Sequence, residues 1–376
     1  MKQILQNLIL SLCWCFFLPN LVMSEPTTNR YVVKDNPNAA EPYDTWDNAA
    51  ADIQTAIDAA VANNGDSVIV APGIYDTGAT WDEQNTNRVN LNKAITVISR
   101  DNDPATTIIK GAWDPVSTNG PQSVRCVRMA TGAQLIGFTV TNGATASDSI
   151  GGDDGGGITC SSTSTIISNC IITACSARRG GGVYHGTLYD CRVEGNLGYQ
   201  GGGTCFTELY NCVVRKNRTA NHTASNWRGG GIYRGSAYSS LIEGNHATYG
   251  GGARDADLYN CTIVNNTGGS LGSGIRGGTL YNCISWNNVD LETEAYYSRG
   301  DGDTYITNNC TQADPLFIDA ANGDWRLRGS SPCIDTGTNQ AWMATATDLD
   351  GRPRLYNAPD MGCYEYYPQG TVLIVQ

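Results

Sequence analysis

The sequence is poor in charged residues and in histidine. Asp, Glu, Lys and Arg together make up 16% of its 376 residues, and 3 histidines occur at unrelated positions. So few charged side chains are untypical of a protein built from solvent-exposed helices, and so few histidines argue against a histidine-rich metal site. Acidic residues outnumber basic ones, 36 to 24, and the formal net charge is −12. Because a chain of this sign repels nucleic acid, we expect no nucleic-acid partner.

Long apolar runs are absent after the first residues. Residues 4–22 are mostly apolar, Lys2 precedes them, and the small residues Val22 and Ser24 end the stretch. This order is typical of secretion, so we predict residues 1–24 as a signal peptide removed before Glu25. The alternative is a retained membrane anchor, but the polar residues and the proline that interrupt the run disfavour a spanning helix. We therefore expect a secreted or cell-envelope protein whose mature chain has no transmembrane segment.

Glycine, by contrast, is abundant, and it recurs in a regular pattern. A glycine cluster ends at one position in each repeat, a Cys or Ser follows nine residues later, and an Asn follows five residues after that. One of these units carries an insertion near residues 219–227. The three columns are Gly182, Gly203, Gly231, Gly252 and Gly274; Cys191, Cys212, Ser240, Cys261 and Cys283; and Asn196, Asn217, Asn245, Asn266 and Asn288.

This repeat predicts a stack of short strands. No apolar period of 3.6 continues across the glycines, which excludes helices, whereas short strands bounded by Gly and Asn fit the pattern. A single unit cannot bury its apolar face, but units stacked about 4.8 Å apart give every strand a parallel neighbour. We therefore predict an all-β fold, a right-handed single-stranded parallel β-helix over residues 25–310, and we expect a monomer.

Each column has a structural reason. Glycine permits positive φ, and Asn tolerates left-handed backbone while its amide can form a hydrogen-bonded ladder along the stack. The cysteines can fill the core as free thiols. Disulfides between neighbouring coils are the alternative, although parallel Cβ vectors disfavour their geometry.

The two ends need caps, because an open stack exposes unpaired strand edges. Residues 45–62 carry Ile53, Ile57 and Val61 four positions apart, which predicts an amphipathic helix over the N-terminal opening. Residues 311–376 are richer in Pro, Asp and Arg, and we expect them to cap the other opening. Cys333 and Cys363 in this region are either disulfide partners or free thiols.

The chain resembles known β-helix proteins. Residues 53–60 and 65–75, with the coils after them, resemble pectin-lyase-like proteins, and the glycine–asparagine units are similar to repeats of polymorphic outer-membrane proteins, which are surface adhesins. Residues 314–317, 325–327, 331–337, 348–354 and 360–365 resemble the choice-of-anchor Q region of secreted bacterial β-helix proteins. The resemblance implies an extracellular or envelope location. It also implies a substrate laid across one sheet, with lyases using Ca²⁺ or another cation and an Arg or Lys base, and hydrolases using paired carboxylates.

One outward-facing strip of the coils is the candidate site. Arginines bind carboxylates with two parallel hydrogen bonds, and aromatic faces stack on sugar rings. The alternative is an ordinary solvated outer row, which every β-helix has. If the strip is catalytic, the candidate residues are Arg254, Arg276, Tyr233 and His185. The candidate substrate-binding residues are Tyr184, Arg234, Asp255, Arg178 and Arg179, with Cys205 and Phe206 in the same columns.

Paired acids are scarce on the coils, which weakens the case for a hydrolase. Asp153 and Asp154 lie in a glycine-flanked loop and are the candidate ligands for Ca²⁺, the alternative being solvated loop acids. The function we predict is binding of an extracellular polysaccharide or cell-surface glycan without turnover. The alternative is a polysaccharide lyase or hydrolase that acts on an acidic polysaccharide through the same outward face.

Overall fold

The computed structural model describes residues 28–62, 65–147, 154–220, 228–290, 304–307 and 313–368. In these parts of the chain, short strands follow one another around a coil, and parallel pairing between coils builds sheets along the axis. The prediction of a parallel β-helix is confirmed. The predicted signal peptide lies outside the described residues, and none of the described helices has the length and apolar character of a membrane span.

Left-handed corners give the coil four sides. In one central coil the backbone φ is positive at Gly201, Phe206, Asn211 and Lys216, which are spaced five residues apart. The same spacing recurs in the coils on either side of it. We number the corners in this order, so that side 1 is residues 201–205, side 2 is 206–210, side 3 is 211–215, and side 4 runs from 216 to the next glycine corner.

Sides 1 and 2 share four strands that continue around the second corner. These are Thr204–Tyr210, Ile232–Tyr238, Ala253–Tyr259 and Ile275–Tyr281. The earlier strands of side 1 are Thr86–Leu91, Val124–Met129, Ile158–Cys160 and Val183–Tyr184, with Thr80–Trp81 antiparallel to the first of them. The other strands of side 2 are Asn29–Val32, Ser67–Val70, Thr96–Ser99, Gln134–Ile136, Ile166–Ser168, Thr187–Tyr189 and Thr304–Thr307.

Sides 3 and 4 each form a separate parallel sheet. The strands of side 3 are Gly73–Tyr75, Thr107–Lys110, Thr139–Thr141, Ile171–Thr173, Arg192–Glu194, Val213–Arg215, Leu241–Glu243, Thr262–Val264 and Ile284–Trp286. The strands of side 4 are Ser176–Arg179, Leu197–Gln200, Arg218–Thr219, His246–Tyr249, Thr267–Leu271 and Val289–Asp290.

The inside of the stack is one continuous apolar core. Side chains that alternate inward along each strand form a single cluster from Val32 to Cys283. The cysteine column is buried in this core, and its members form no disulfides with one another. Their sulfurs lie near backbone carbonyl oxygens, as Cys191 Sγ does at 3.2 Å from the Tyr189 oxygen.

The predicted asparagine ladder is present and buried. Asn217 Nδ2 donates to Asn245 Oδ1 at 3.1 Å, and Asn245 Nδ2 donates to Asn266 Oδ1 at 3.0 Å. Each amide also donates to a backbone carbonyl of the preceding coil, as Asn245 does to Val214 at 2.9 Å. The ladder therefore provides hydrogen-bond donors for backbone carbonyl groups at the bend after side 3, where pairing between strands does not supply them.

The N-terminal helix is shorter than predicted. It spans Ile53–Ala59, because Asp52 caps its first turn by accepting from the Thr55 amide, and the preceding Ala50 instead bridges to the first strand. Ile53, Ala56 and Ile57 enter the same core as the first coils.

The C-terminal region packs on the flank of the stack. It contains an antiparallel pair, Phe317–Asp319 with Asp324–Leu327, and 3₁₀ helices at Ala320–Asn322 and Ala341–Thr345. Its apolar residues cover the outer face of side 3, and hydrogen bonds join Cys363 N to Thr262 Oγ1 and Asn260 Nδ2 to the Asp360 oxygen. These contacts differ from the expected closure of the last opening, because the outward apolar residues of side 3 offer a larger surface to bury. Cys333 and Cys363 form no disulfide with each other.

A buried charge cluster holds this region together. Arg354 is fully enclosed, its guanidinium lies 3.4 Å from Glu365 and donates to the Asp360 backbone oxygen, and Asp348 accepts from the Glu365 amide. Burial raises the pKa of Glu365 to about 8 and the pKa of Asp360 to about 6, although the nearby Arg354 charge opposes both shifts. The cluster therefore holds protons that an unfolded chain releases.

Stability should fall as the pH rises. The ordinary pKa values are 3.8 for Asp360 and 4.5 for Glu365, so the folded chain binds the extra protons between these values and about 6 and 8. In that window we expect the free energy of unfolding to decrease by up to about 1.4 kcal/mol per pH unit for each group. Denaturant unfolding between pH 5 and 8 measures this, and Glu365→Gln should flatten the dependence. A stability that increases with pH in both proteins would contradict the assignment.

Removing one rung of the asparagine ladder should be costly. Asn245→Ala removes the side-chain donor to the Val214 and Asn266 oxygens and the acceptor of the Asn217 backbone N–H, so we expect a loss of about 3 kcal/mol in the free energy of unfolding. Thr248→Ala, on the exposed surface of the same coil, is the control and should change it by less than about 0.5 kcal/mol. Equal effects of the two substitutions would exclude a structural role for the ladder.

Candidate functional site

The predicted outward column exists, and it is longer than expected. Strand register places Tyr184, Cys205, Tyr233, Arg254 and Arg276 side by side along side 1. The same row continues toward the N-terminus through Thr159, Arg128 and Asn90. Seven steps of about 4.8 Å give it a length of about 34 Å. Glycine spacing could not reveal the positions of Arg128 and Asn90, because their coils lack the three-glycine cluster.

A second row runs beside the first at the second corner. It consists of His185, Phe206, Arg234 and Asp255, whose φ values are 58, 57, 57 and 50°. We call the two rows together the strip. Left-handed backbone costs a residue with a side chain about 1–2 kcal/mol, and at the equivalent first corner the coils use glycine. The chain therefore accepts backbone strain at the second corner while keeping large side chains there.

Aromatic rings form a continuous cluster at one end of the strip. The ring of His185 stacks on Tyr184 with centroids 4.3 Å apart, and Phe206 meets His185 edge-on at 5.4 Å. Phe206 lies 6.3 Å from Tyr233 in the next coil. The rings thus link three coils through side chains that the sequence pattern placed in separate columns.

The packing changes the expected role of Tyr233. Its ring is only 3% exposed, because Phe206 lies beside it and the Arg234 guanidinium covers it at 5.2 Å. Cys205, in the same row, is fully enclosed. A covered phenol supports the neighbouring side chains and is poorly placed to accept a proton from a substrate, so the geometry does not support Tyr233 as a base.

Arg234 is the exposed cation of the strip. Its guanidinium lies over Phe206 at 5.3 Å as well as over Tyr233, and within the described residues no carboxylate pairs with it. Cation–π contacts with two rings restrain the guanidinium, while the exposed side chain leaves its N–H edge accessible to solvent. This edge can donate two parallel hydrogen bonds to an incoming carboxylate.

The two arginines predicted to be catalytic have partners in the protein. Arg254 Nε donates to Asp255 Oδ1 at 2.8 Å, and the Arg276 guanidinium lies 4.8 Å from the centre of the Tyr249 ring. Tyr249 was not predicted, because it precedes a glycine cluster and only the corner brings it next to Arg276. Arginine is in general a poor base in proteins, because a guanidinium is not deprotonated there.

Arg179 contacts the strip across the glycine corner, and it also forms an ion pair with Asp154. Its guanidinium lies 4.8 Å from the centre of the Tyr184 ring and donates through Nε to Asp154 Oδ1 at 2.7 Å, with a second contact from Nη2 to Oδ2. The Asp154 hydrogen bond raises the pKa of Arg179. Arg178 precedes it on the same strand, so its side chain points to the opposite side of that strand.

This ion pair changes the interpretation of the predicted calcium site. Asp154 is an ion-pair partner rather than a solvated loop acid, while Asp153 lies outside the described residues. In the described parts of the chain no group of three or more potential metal ligands occurs. Calcium binding near this loop stays a prediction.

The electrostatics keep the aromatic end neutral. Burial, followed by the nearby Arg179 charge, lowers the pKa of His185 below its ordinary value of 6.5, so the imidazole is uncharged at neutral pH. Burial, followed by Asp154, raises the pKa of Tyr184, so the phenol keeps its proton. Uncharged rings are the better surface for stacking on a sugar.

A further cluster lies at the N-terminal end of the strip. Asp82 accepts ion pairs from Arg128 at 3.3 Å and from the buried Arg125 at 3.4 Å, and the neighbouring Trp81 is 62% exposed. Each described carboxylate that contacts the strip, namely Asp82, Asp154 and Asp255, is bound to an arginine. The strip therefore offers arginines and aromatic rings and no free pair of acids.

Solved structures of β-helix enzymes resemble the chain. Pectate lyase Pel9A matches with a TM-score of 0.56 and 11% identity over 92% of this chain and 98% of that chain. Pectin methylesterase PemA from Erwinia chrysanthemi matches with a TM-score of 0.41 and 11% identity over 81% and 99% of the two chains. No protein-family model matches the chain, and no curated protein matches it significantly. At such low identity the similarity to Pel9A shows the fold, which is the right-handed parallel β-helix.

Proposed function

We propose that the protein binds an acidic polysaccharide along the strip. The observation that carries this proposal is Arg234, an exposed guanidinium that lies over the rings of Phe206 and Tyr233 at a left-handed corner. A uronate carboxylate fits its open edge, and the adjoining sugar ring fits the neutral surface of Tyr184, His185 and Phe206. The backbone strain at this corner has no benefit to the core, because these side chains point outward.

Charge supports the same ligand class. Arginines outnumber carboxylates along the strip, although the whole chain carries a formal charge of −12. The strip is therefore a local positive region on an acidic protein, and it would select an anionic polymer while the remaining surface repels one. Such polymers surround cells, which agrees with the predicted signal peptide and with an extracellular or envelope location.

The absence of a free acid–base set in the described strip favours binding over turnover. Hydrolysis of a glycosidic bond needs two carboxyl groups, one on each side of the bond. The carboxylates of the strip are instead neutralised by Arg128, Arg179 and Arg254. A protein with the same fold can be an enzyme while this chain uses that fold to bind a ligand without turnover.

Arg234→Ala tests the proposal. Charge-assisted hydrogen bonds contribute about 1.5–3 kcal/mol, so we expect the affinity for a polyuronate, measured by titration calorimetry, to fall at least about tenfold. Arg234→Lys should recover only part of it, since an ammonium cannot form the two parallel bonds. Arg218→Ala removes the same charge from exposed side 4 and should have little effect. Equal affinities of wild type and Arg234→Ala would overturn the proposal.

Turnover of the same polymer is the second candidate, favoured by the lowered pKa of His185. An imidazole that is neutral at pH 7 can accept the proton that leaves the sugar in β-elimination. The test is the appearance of an unsaturated, ultraviolet-absorbing product from a polyuronate. Activity that His185→Gln lowers at least a hundredfold, with binding retained, would establish a lyase; no product from the wild type would exclude it.

A further inference from the structure

The third corner docks other parts of the chain onto the coils. Asn169 Nδ2 donates to the Asn102 backbone oxygen at 2.7 Å and so holds the loop after an early side-2 strand. Asn211 Nδ2 donates to Thr347 Oγ1 at 2.7 Å and so holds the C-terminal region. Two later members of the row, Asn260 and Asn282, hold the same region through Asp360 and Thr338.

Asp190 lies between these two docking points and is the acidic member of the row. It occupies the left-handed corner of the coil between those of Asn169 and Asn211, with φ of 53°. Its side chain is exposed, its only described side-chain contact is with Asn211, and no cation pairs with it among the described residues. The early loop and the C-terminal region thus leave the third corner of the Asp190 coil uncovered. At this corner the coil has a carboxylate, whereas the two neighbouring coils have the side-chain amides of Asn169 and Asn211.

The gap is a cleft with a volume of about 430 Å³. The early loop forms one wall, the C-terminal region forms the other, and the outer face of side 3 is the floor. Besides Asp190 and the two asparagines, the lining residues are Pro104, Cys170, Ile171, Cys191, Arg192, Val213, Leu349 and Tyr364. A cleft of this size between two parts of a chain is typical of small-molecule sites.

We propose that this cleft binds one neutral sugar residue. The Asp190 carboxylate can accept from two adjacent hydroxyl groups, and the side-chain oxygens of Asn169 and Asn211, whose amide N–H groups are already engaged, add further acceptors. The floor and Tyr364 supply apolar surface for the C–H face of the ring. Arg192 lies 3.2 Å from the Glu194 carboxylate, and Asp190 adds a negative charge to the same cleft, so an anionic sugar would meet a like charge there.

This cleft is separate from the strip. The strip lies on side 1 and the second corner, whereas the cleft lies on the third corner and side 3. The two ligands also differ in charge. The two sites can therefore succeed or fail independently in binding experiments.

Titration of the full chain with neutral monosaccharides, followed by saturation-transfer NMR, tests the proposal. We expect saturable binding of at least one neutral hexose, and we expect Asp190→Asn to weaken it at least tenfold. Asparagine already stands at this corner in neighbouring coils, so the variant should fold. Asp257→Asn removes an equal charge from the outer face of side 2 and should leave hexose binding within twofold. Ile171→Trp fills the floor of the cleft and should abolish binding without changing the thermal midpoint.

Three results would overturn the proposal. They are no saturable binding of any neutral hexose to the wild type, equal binding by Asp190→Asn, or binding restricted to protonated amino sugars. Binding of a polyuronate, measured on Asp190→Asn in the same series, should equal that of the wild type. A loss of hexose binding alone therefore concerns the cleft, and a loss of polyuronate binding alone concerns the strip.

Discussion

The left-handed corner, repeated every five residues, is the constraint on which the structure depends. At the first corner a side chain is sterically impossible, because a Cβ on Gly201 would lie 2.0 Å from the Thr204 carbonyl oxygen. Each such corner fixes where a strand begins, and identical side lengths in successive coils keep the strands in register. Register then creates every row in the molecule: the thiols of the core, the buried asparagine ladder and the strip. A shift of one residue would exchange the inward and outward rows.

The strip also depends on left-handed corners, but there the corner positions carry large side chains in place of glycine. Where glycine relieves strain at the first corner, the second corner carries His185, Phe206 and Arg234 in the same backbone conformation. Side-chain packing then places the arginines of the strip in different surroundings. Arg179 and Arg254 are bound to carboxylates, whereas Arg234 rests on aromatic rings with its edge exposed. This difference, rather than the number of arginines, is the reason we propose Arg234 as the residue that binds the carboxylate of an anionic sugar.

Much of the fold could be predicted because a β-helix repeats its contacts in sequence. Gly203, Cys212 and Asn217 recur at fixed offsets, since each contacts its counterpart in the next coil. Features formed by distant segments leave no such pattern. The C-terminal region docks on side 3, Tyr233 is covered, and Tyr249 meets Arg276 across a corner. The strip residues were found as columns, but their pairing depends on side-chain packing that a single sequence does not encode locally.

The most direct test of the central claim is a crystal structure of the chain with a bound acidic oligosaccharide. The account predicts a sugar carboxylate within hydrogen-bonding distance of both terminal nitrogens of Arg234, with the adjoining ring against Tyr184 or Phe206 and the polymer following side 1. An oligosaccharide bound elsewhere, with Arg234 free of it, would contradict the account.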